Sequence, residues 1–142
     1  MKLFLDANVV FSAAHQAAGN AQALIALARA GGCTLQSSAH AIEEARRNLA
    51  LKSSGYEQRL ADALAQIEVM AEAPPALVEW ARHEGLPLKD APILAAAVQA
   101  GAEVLVTGDA RDIGSLYGRT LRDVQVLAPV RALALVLKDA GV

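Results

Sequence analysis

Three aspartates follow the ends of two short apolar runs and could bind a metal ion together. Asp6 follows Leu3–Leu5, and Asp109 and Asp112 follow Val104–Val106 after a Thr-Gly turn. Each apolar run is typical of a short buried strand. In α/β proteins, ligand sites lie beyond the carboxyl ends of parallel strands. We therefore expect these carboxylates to gather at one edge of a sheet.

Two further acids are associated with predicted helices, Asp90 just before one and Glu44 within another. Asp90 immediately precedes an apolar helical run, and Ser38 can cap a helix on which Glu44 lies at the flank of the apolar stripe. Glu43 lies nearer the opposite side and can pair with Arg47 one turn later. Like charges in one cleft repel each other unless a cation neutralises them. Carboxylate oxygens are natural ligands of Mg²⁺ and Mn²⁺, so we expect one of these ions as the cofactor.

Hydrolysis of a phosphodiester is the chemistry that such an acidic site supports. A divalent ion lowers the pKa of a bound water, and a second ion ~3.5 to 4 Å away can stabilise the leaving oxygen. This reaction requires no nucleophilic side chain. The sequence offers no evident Ser/His or Cys/His pairing, and its three histidines are scattered.

The elements that position these acids alternate between strands and helices. We predict helices over residues 9–14, 21–30, 39–51, 56–67, 76–83, 91–100 and 130–138, and strands over residues 3–5, 33–36, 68–71, 104–106 and 124–127. Residues 114–119 are predicted to form a loop. Strand, helix and strand in succession give a right-handed parallel crossover. The predicted fold class is a three-layer α/β/α domain with a central parallel sheet of about four or five strands.

Four sequence blocks, taken together, resemble the PIN-domain nucleases. They are LDAN at 5–8, SSAHAIEEARRNL at 37–49, KDAPILAAA at 89–97 and VTGDARDI at 106–113. Their order and spacing resemble especially the VapC-like toxins of bacterial toxin–antitoxin pairs. This resemblance implies a PIN-like fold and a metal-dependent endoribonuclease that hydrolyses RNA. It also implies an antitoxin protein as partner and a homodimer.

The resemblance also implies roles for individual residues. The catalytic metal-binding set would be Asp6, Glu44, Asp90 and Asp109, with Asp112 as an auxiliary ligand. Asn8 and Thr107 would orient ligands or waters from behind. Arg46, Arg47 and Arg111 would contact RNA phosphates. Lys89 stands where family members often have an acid, a departure that removes none of the principal carboxylates.

Each acid also has a purely structural interpretation, and the function has alternatives. Asp90 could merely cap its helix, Asp109 could be a turn residue and Glu44 a surface residue. The alternative functions are a structure-specific DNA nuclease, a catalytically silent PIN scaffold and a receiver-like binding module. A DNA nuclease that threads its substrate would need long insertions that this chain lacks. Asp6 follows the first predicted strand instead of the third, which argues against a receiver.

Composition limits the class of protein. The chain of 142 residues, 54% of them hydrophobic, suits one domain over residues 1–142 with a real core. No apolar run approaches the ~18 to 20 residues of a membrane span, and no basic leader with a cleavage site begins the chain, so we expect a cytoplasmic location. The single cysteine, Cys33, excludes an internal disulfide. A net charge of −2 argues against nucleic-acid binding by bulk attraction, unless bound ions raise the charge near the cleft.

Overall fold

The structure, a computed structural model, describes residues 1–141 and contains six strands and eight α-helices within them. The strands are β1 (Lys2–Leu5), β2 (Thr34–Ser38), β3 (Ile67–Met70), β4 (Val104–Val106), β5 (Thr120–Leu121) and β6 (Val124–Leu127). The helices are α1 (Ala7–His15), α2 (Asn20–Arg29), α3 (Ala39–Lys52), α4 (Glu57–Leu64), α5 (Pro75–His83), α6 (Ala91–Gln99), α7 (Ala110–Ile113) and α8 (Pro129–Asp139).

All six strands form one sheet in the order β3-β2-β1-β4-β6-β5. Every neighbouring pair is parallel except β5 and β6, which form an antiparallel hairpin. In the centre, Leu3 of β1 pairs with Leu35 of β2 and with Val104 of β4. The carboxyl ends of β1 and β4 therefore lie side by side. The predicted fold class is confirmed, with five parallel strands and the short β5 as a sixth.

Helices cover both faces of the sheet and form two apolar cores. Because side chains alternate along a strand, Leu3 and Leu5 of β1 point into one core and Phe4 points into the other. The first core also contains residues of α1, α2 and α8, and the second contains residues of α5 and α6. Within residues 1–141, no helix combines the length and the apolarity needed to cross a membrane.

Strand β3 begins earlier than the sequence predicted. Ile67 was expected to end the preceding helix, but that helix ends at Leu64 and Ile67 pairs with Leu35 in the sheet. A short apolar run fits a helical stripe and a buried strand equally well, so periodicity alone could not separate the two. Ile67 belongs to a strand because β3 pairs with β2 at the edge of the sheet from this residue onward.

The turn of the β5–β6 hairpin lacks the residues that are usual in such turns. Arg122 and Asp123 connect the strands with φ angles of 47° and 68°. Two-residue hairpin turns with positive φ at both positions normally use Asn and Gly, because these residues tolerate the left-handed conformation. The Arg122 guanidinium lies 4.3 Å from the ring centroid of Trp80, a cation–π contact between the turn and α5.

Candidate active site

Asp6 stands at the junction of β1 and α1 and is 3% exposed. Its backbone is extended, and its Oδ1 accepts a hydrogen bond of 2.7 Å from the Ala7 N–H. The carboxylate therefore caps the helix with one oxygen. Its position at the carboxyl end of a central strand also makes it the deepest acid of the site.

A hydrogen-bonded network links Asp6 to the end of β4. The Thr107 hydroxyl donates to Oδ2 of Asp6 at 2.8 Å, and the Asn8 amide donates to the same oxygen at 3.2 Å. Oδ1 of Asn8 accepts from the Gly108 N–H at 2.7 Å, and the Asp109 N–H donates to the Thr107 hydroxyl oxygen at 3.1 Å. These bonds join two loops that are about a hundred residues apart in the sequence. The orientation of ligands or waters by Asn8 and Thr107 stays a prediction, and this network is consistent with it.

Gly108 permits the close approach of these two loops. A Cβ atom built at Gly108 would lie 3.3 Å from Oδ1 of Asn8, closer than most real Cβ contacts. The Thr107 carbonyl beside it accepts a hydrogen bond of 2.9 Å from the Tyr117 hydroxyl. The turn after β4 is thus held from two sides.

Asp109 and Asp112 are positioned by the single-turn helix α7. Oδ1 of Asp109 accepts from the Asp112 N–H at 3.0 Å, so Asp109 caps this helix. The Lys89 ammonium forms an ion pair with Asp112, with 2.9 Å between Nζ and Oδ2. The hydrogen bond from Lys89 lowers the pKa of the Asp112 carboxyl below its ordinary value. Each of the two acids therefore has a local structural contact that fixes its position.

Asp90 differs from Asp6 and Asp109 because its side chain caps no helix. It occupies the residue before α6, but its carboxylate makes no cap hydrogen bond, and the Pro92 that follows lacks an N–H to offer. Its Oδ2 is buried and has no hydrogen-bond partner within the described residues. Burial raises the pKa of the Asp90 carboxyl to about 6, and the negative charge of Asp6 adds to the effect. The interpretation of Asp90 as a simple helix cap is therefore wrong.

Glu44 reaches the site from α3. This helix is capped by Ser38, whose hydroxyl accepts from the Ala41 N–H at 3.2 Å. The half-buried Glu44 lines the cleft, whereas the exposed Glu43 pairs with Arg46 at 3.6 Å instead of with the predicted Arg47. Of the two neighbouring glutamates, only Glu44 faces the other acids.

These residues surround a cleft of about 260 Å³ at the carboxyl edge of the sheet. Its lining residues are Asp6, Asn8, Phe11, Glu44, Asn48, Lys52, Lys89, Asp90 and Asp109. Carboxylate oxygens of Asp90, Asp109 and Asp112 lie within 4.8 Å of one another. All four acids predicted as the principal ligands line this one cleft, and Asp112 lies directly beside it.

Burial and neighbouring negative charges raise the pKa of the two buried acids of the cleft, Asp6 and Asp90. Burial raises the pKa of Asp6 above its ordinary value, although the hydrogen bond from Thr107 opposes the shift, and the charges of Glu44 and Asp109 raise it further. An unpartnered buried carboxylate oxygen is costly unless something binds it. The free Oδ2 of Asp90, aimed among like charges, fits a hard divalent cation as its partner.

The structure does not bring the predicted arginines into the cleft. Arg46 and Arg47 lie on the exposed side of α3, and Arg46 lines a separate groove beside Tyr56. Arg111 is exposed on α7 near Asp112 and is not among the residues that line the cleft. Their contact with RNA stays a prediction.

Four lining residues were not singled out by the sequence as parts of the site. They are Phe11, Asn48, Lys52 and Lys89. Two spacings could have indicated three of them. Phe11 follows Asn8 by three residues on α1, and Asn48 and Lys52 follow Glu44 by four and eight residues on α3.

The fold and the cleft define an α/β protein that carries a cluster of carboxylates at the carboxyl edge of a parallel sheet. The family model "PIN domain" matches residues 2–111, and the chain belongs to this family. The predicted family is thereby confirmed. No curated protein matches the chain in sequence.

Solved structures of the same fold come from several organisms. PAE2754 from Pyrobaculum aerophilum is 19% identical, with a TM-score of 0.65, and the similarity covers 97% of this chain and 99% of that one. VapBC2 from Rickettsia felis, bound to a DNA fragment from its promoter, is 17% identical, with a TM-score of 0.59 and coverages of 90% and 98%. FitAcB from Neisseria gonorrhoeae is 21% identical, with a TM-score of 0.52 and coverages of 90% and 98%.

Proposed function

We propose that this PIN domain is a divalent-metal-dependent endoribonuclease that hydrolyses phosphodiester bonds of RNA. Asp6, Glu44, Asp90 and Asp109 would hold Mg²⁺ or Mn²⁺, with Asp112 as an auxiliary ligand. The observation that carries this proposal is the buried Oδ2 of Asp90, which has no partner in the described residues although four acids line the same cleft. Membership of the PIN family supports it.

The residues of the cleft suit a hydrolysis that uses water as the nucleophile. A divalent ion held by the carboxylates would supply the positive charge that activates water and stabilises the transition state. Among the described residues that line the cleft there is no serine, cysteine or histidine. Asp6 and Asp109 are fixed by helix caps and by the Thr107 hydroxyl, so these ligands are oriented before any ion binds.

The biological role that we propose is that of a toxin controlled by an antitoxin protein. The resemblance of the four sequence blocks to VapC-like toxins supports this role, and so does the structural similarity to VapBC2 and FitAcB. A homodimer and a cytoplasmic location belong to the same proposal. Co-expression with the product of an adjacent short reading frame tests the partner. A complex that survives gel filtration and loses ribonuclease activity is the expected result.

The first experiment is cleavage of a mixed structured RNA pool by the pure protein with Mg²⁺, with Mn²⁺ and with a chelator. We expect cleavage that requires metal and that Asp90→Asn abolishes. Asp123→Asn is the matched control, because Asp123 is exposed in the β5–β6 turn and Asn tolerates its positive φ. Flap DNA in parallel separates a ribonuclease from a structure-specific DNA nuclease. Metal-dependent cleavage that persists in Asp90→Asn would contradict the proposed site.

Calorimetric titration with Mn²⁺ separates a silent scaffold from an enzyme of narrow specificity. We expect the wild-type protein and Asp123→Asn to bind Mn²⁺, and Asp90→Asn to bind it about tenfold or more weakly. Absence of any Mn²⁺ binding by the wild-type protein, together with no cleavage, would favour the silent scaffold.

A further inference from the structure

A tyrosine that follows α7 contacts the loop of the active site from outside the cleft. The hydroxyl of Tyr117 donates a hydrogen bond of 2.9 Å to the carbonyl oxygen of Thr107. Tyr117 is not among the described residues that line the cleft. Any effect of its hydroxyl on the carboxylates must therefore pass through the peptide group between Thr107 and Gly108.

This peptide group connects Tyr117 to the deepest acid of the cleft. Its carbonyl oxygen accepts from Tyr117, and its N–H, that of Gly108, donates to Oδ1 of Asn8 at 2.7 Å. The Asn8 amide in turn donates to Oδ2 of Asp6 at 3.2 Å. Hydrogen bonds at the two ends of one peptide group polarise each other, so the bond from Tyr117 strengthens the bond to Asn8.

The same peptide group sets the direction in which the chain leaves β4. Asp109 follows it directly, and the Asp109 N–H donates to the Thr107 hydroxyl oxygen at 3.1 Å. Because Gly108 has no Cβ, rotation of this peptide group meets little steric resistance. A partner must therefore fix the carbonyl, and the Tyr117 hydroxyl is in place to do so.

The backbone on both sides of Tyr117 is held, so its ring has a defined position. The Tyr117 N–H donates to the Gly114 carbonyl at 3.2 Å and closes the 3₁₀-helical turn Gly114–Leu116. The next residue, Gly118, donates its N–H to the Val126 carbonyl of β6 at 2.8 Å. The half-buried ring packs against the second core.

The Tyr117 phenol stays a hydrogen-bond donor at neutral pH. Burial raises its pKa above the ordinary value, and the negative charges of Asp109 and Asp6 add to this effect. The other tyrosine of the chain, Tyr56, is also half-buried but packs against the first core and lines a separate groove beside Arg46. Tyr56 therefore provides a matched control for the loss of a phenol hydroxyl.

We propose that Tyr117 is a positioning residue of the active site, whose hydroxyl fixes the peptide group between Thr107 and Gly108 and thereby holds Asp6 and Asp109 in place for a divalent ion. This inference rests on the proposed metal site and adds a residue from outside the cleft to it. Tyr117 follows residues 2–111, the part of the chain that the PIN domain model matches. Ligands that are already oriented lose less freedom when an ion binds, which favours affinity.

Calorimetric titration with Mn²⁺ tests this proposal without RNA. Tyr117→Phe removes the hydroxyl and keeps the ring, so the packing is preserved. We expect this variant to bind Mn²⁺ about three- to tenfold more weakly than the wild-type protein, a smaller loss than is usual for a residue that contacts a ligand directly. Tyr56→Phe should bind Mn²⁺ as the wild-type protein does. Equal Mn²⁺ affinities of the two variants would overturn the proposal.

Hydrogen exchange of the Gly108 amide observes the peptide group itself. The measurement uses NMR of protein labelled with ¹⁵N-glycine, in the presence of chelator. We expect the Gly108 amide to exchange about fivefold faster in Tyr117→Phe, because its bond to Asn8 is weakened. The amide of Gly101, which bonds to the end of α6, is the internal reference and should not change. An unchanged rate at Gly108 would show that the hydroxyl does not fix this peptide group.

A double-mutant cycle tests the connection to Asp6. Asn8→Ala removes the acceptor of the Gly108 N–H and the donor to Asp6. In this background Tyr117→Phe should weaken Mn²⁺ binding clearly less than in the wild-type background, because residues of one hydrogen-bond network are not additive. An equally large loss in both backgrounds would contradict the connection through Asn8.

RNA cleavage separates this inference from the function on which it rests. We expect Tyr117→Phe to lower kcat about three- to tenfold at a fixed, subsaturating Mn²⁺ concentration and to leave KM for RNA nearly unchanged. If the wild-type protein cleaves RNA but Tyr117→Phe equals Tyr56→Phe in kcat and Mn²⁺ affinity, the positioning role is wrong and the ribonuclease stands.

Three further outcomes are distinct. If the wild-type protein binds Mn²⁺ but cleaves no RNA, and Tyr117→Phe binds Mn²⁺ more weakly, the ribonuclease fails and the positioning role stands. If the wild-type protein binds no Mn²⁺, both proposals fail. A lower unfolding temperature of Tyr117→Phe with unchanged Mn²⁺ affinity would assign Tyr117 to packing alone and overturn the inference.

Discussion

At the scale of single residues, the cleft carboxylates differ in the hydrogen bonds and ion pairs that they form. Asp6 and Asp109 each cap a helix, and Asp112 pairs with Lys89, but Asp90 keeps an unpartnered buried oxygen. A buried polar group without a partner lowers the free energy of unfolding. Asp90 is therefore the residue at which stability and function are expected to oppose each other.

The pH dependence of stability should reveal this cost of Asp90. Because burial raises its folded-state pKa from 3.8 to about 6, the folded protein binds more protons than the unfolded chain between these values. The free energy of unfolding therefore falls as pH rises through that interval. In chelator, Asp90→Asn should be more stable than the wild-type protein by about 1 to 2 kcal/mol at about pH 7.5, a value reduced for solvent access to the carboxyl. Near pH 4 the difference should vanish, as urea unfolding can check.

Lys89 controls how much negative charge the cleft offers. Its ammonium is 2.9 Å from Asp112, and its charge lowers the pKa of Asp90. Lys89→Met removes this competing cation and frees the Asp112 carboxylate. We expect Mn²⁺ to bind about two- to fivefold more tightly, in keeping with the small energy of an exposed pair. Calorimetry against Lys138→Met checks this, and weaker Mn²⁺ binding would show that Lys89 supports the site instead.

The sequence indicated the acids of the cleft better than its other residues. An acid at the end of an apolar run has a distinctive position: Asp6 and Asp109 follow apolar strands, and Asp90 precedes an apolar helix. Lys52 is one exposed lysine among several, and only its spacing of eight residues from Glu44 marks it in the sequence. Arginines at 46 and 47 looked equally suitable in the sequence, but the rotation of α3 turns them away from the cleft.

At the scale of elements, the site depends on the pairing of β1 with β4. Leu5 pairs with Val106, so the residues after both strands, Asp6 and Thr107, meet at one edge. The buried Thr107 hydroxyl connects them, because it donates to Asp6 and accepts from the Asp109 N–H. Neither strand alone can orient both the Asp6 and the Asp109 carboxylates. The position of the Thr107 hydroxyl, and therefore the geometry of the cleft, depends on the register of β1 with β4.

Replacement of Thr107 by the isosteric valine tests the role of its hydroxyl. Thr107→Val removes three hydrogen bonds without creating a cavity, and leaves a buried carboxylate oxygen with fewer donors. We expect a loss of about 1 to 3 kcal/mol in the free energy of unfolding and weaker Mn²⁺ binding. Thr120→Val, at the exposed position of β5, is the control and should change neither quantity appreciably. Unchanged stability in Thr107→Val would mean that water replaces the hydroxyl.

The elements themselves were predicted where one pattern dominated the sequence. The central strands and the long amphipathic helix α3 were found because their apolar residues repeat clearly. Strand β5 was missed because it has two residues and because Arg122 and Asp123 form a positive-φ turn without glycine. A contact that is distant in sequence, between Arg122 and Trp80, accompanies this turn, and no local pattern contains it.

At the scale of the whole molecule, the fold gathers like charges that the sequence keeps far apart. The four acids come from different elements: Asp6 follows β1, Glu44 lies on α3, Asp90 precedes α6 and Asp109 follows β4. The chain carries a net charge of only −2, so the repulsion is local to the cleft and not general. Folding must hold this cluster together against its own field. A cation that binds only the folded cluster should consequently stabilise the entire domain.

Divalent metal should therefore raise the unfolding temperature of the wild-type protein. At a Mn²⁺ concentration one hundred times the Kd, binding adds about 2.7 kcal/mol to the free energy of unfolding, which is several degrees in Tm for a domain of this size. NaCl at the same ionic strength should give a much smaller shift, because it screens the cleft without coordinating Asp90. Asp90→Asn should start from a higher Tm in chelator and gain little from Mn²⁺, whereas Asp123→Asn should behave as the wild-type protein does. Equal gains in Tm for Asp90→Asn and Asp123→Asn would place the stabilising ion elsewhere on the molecule.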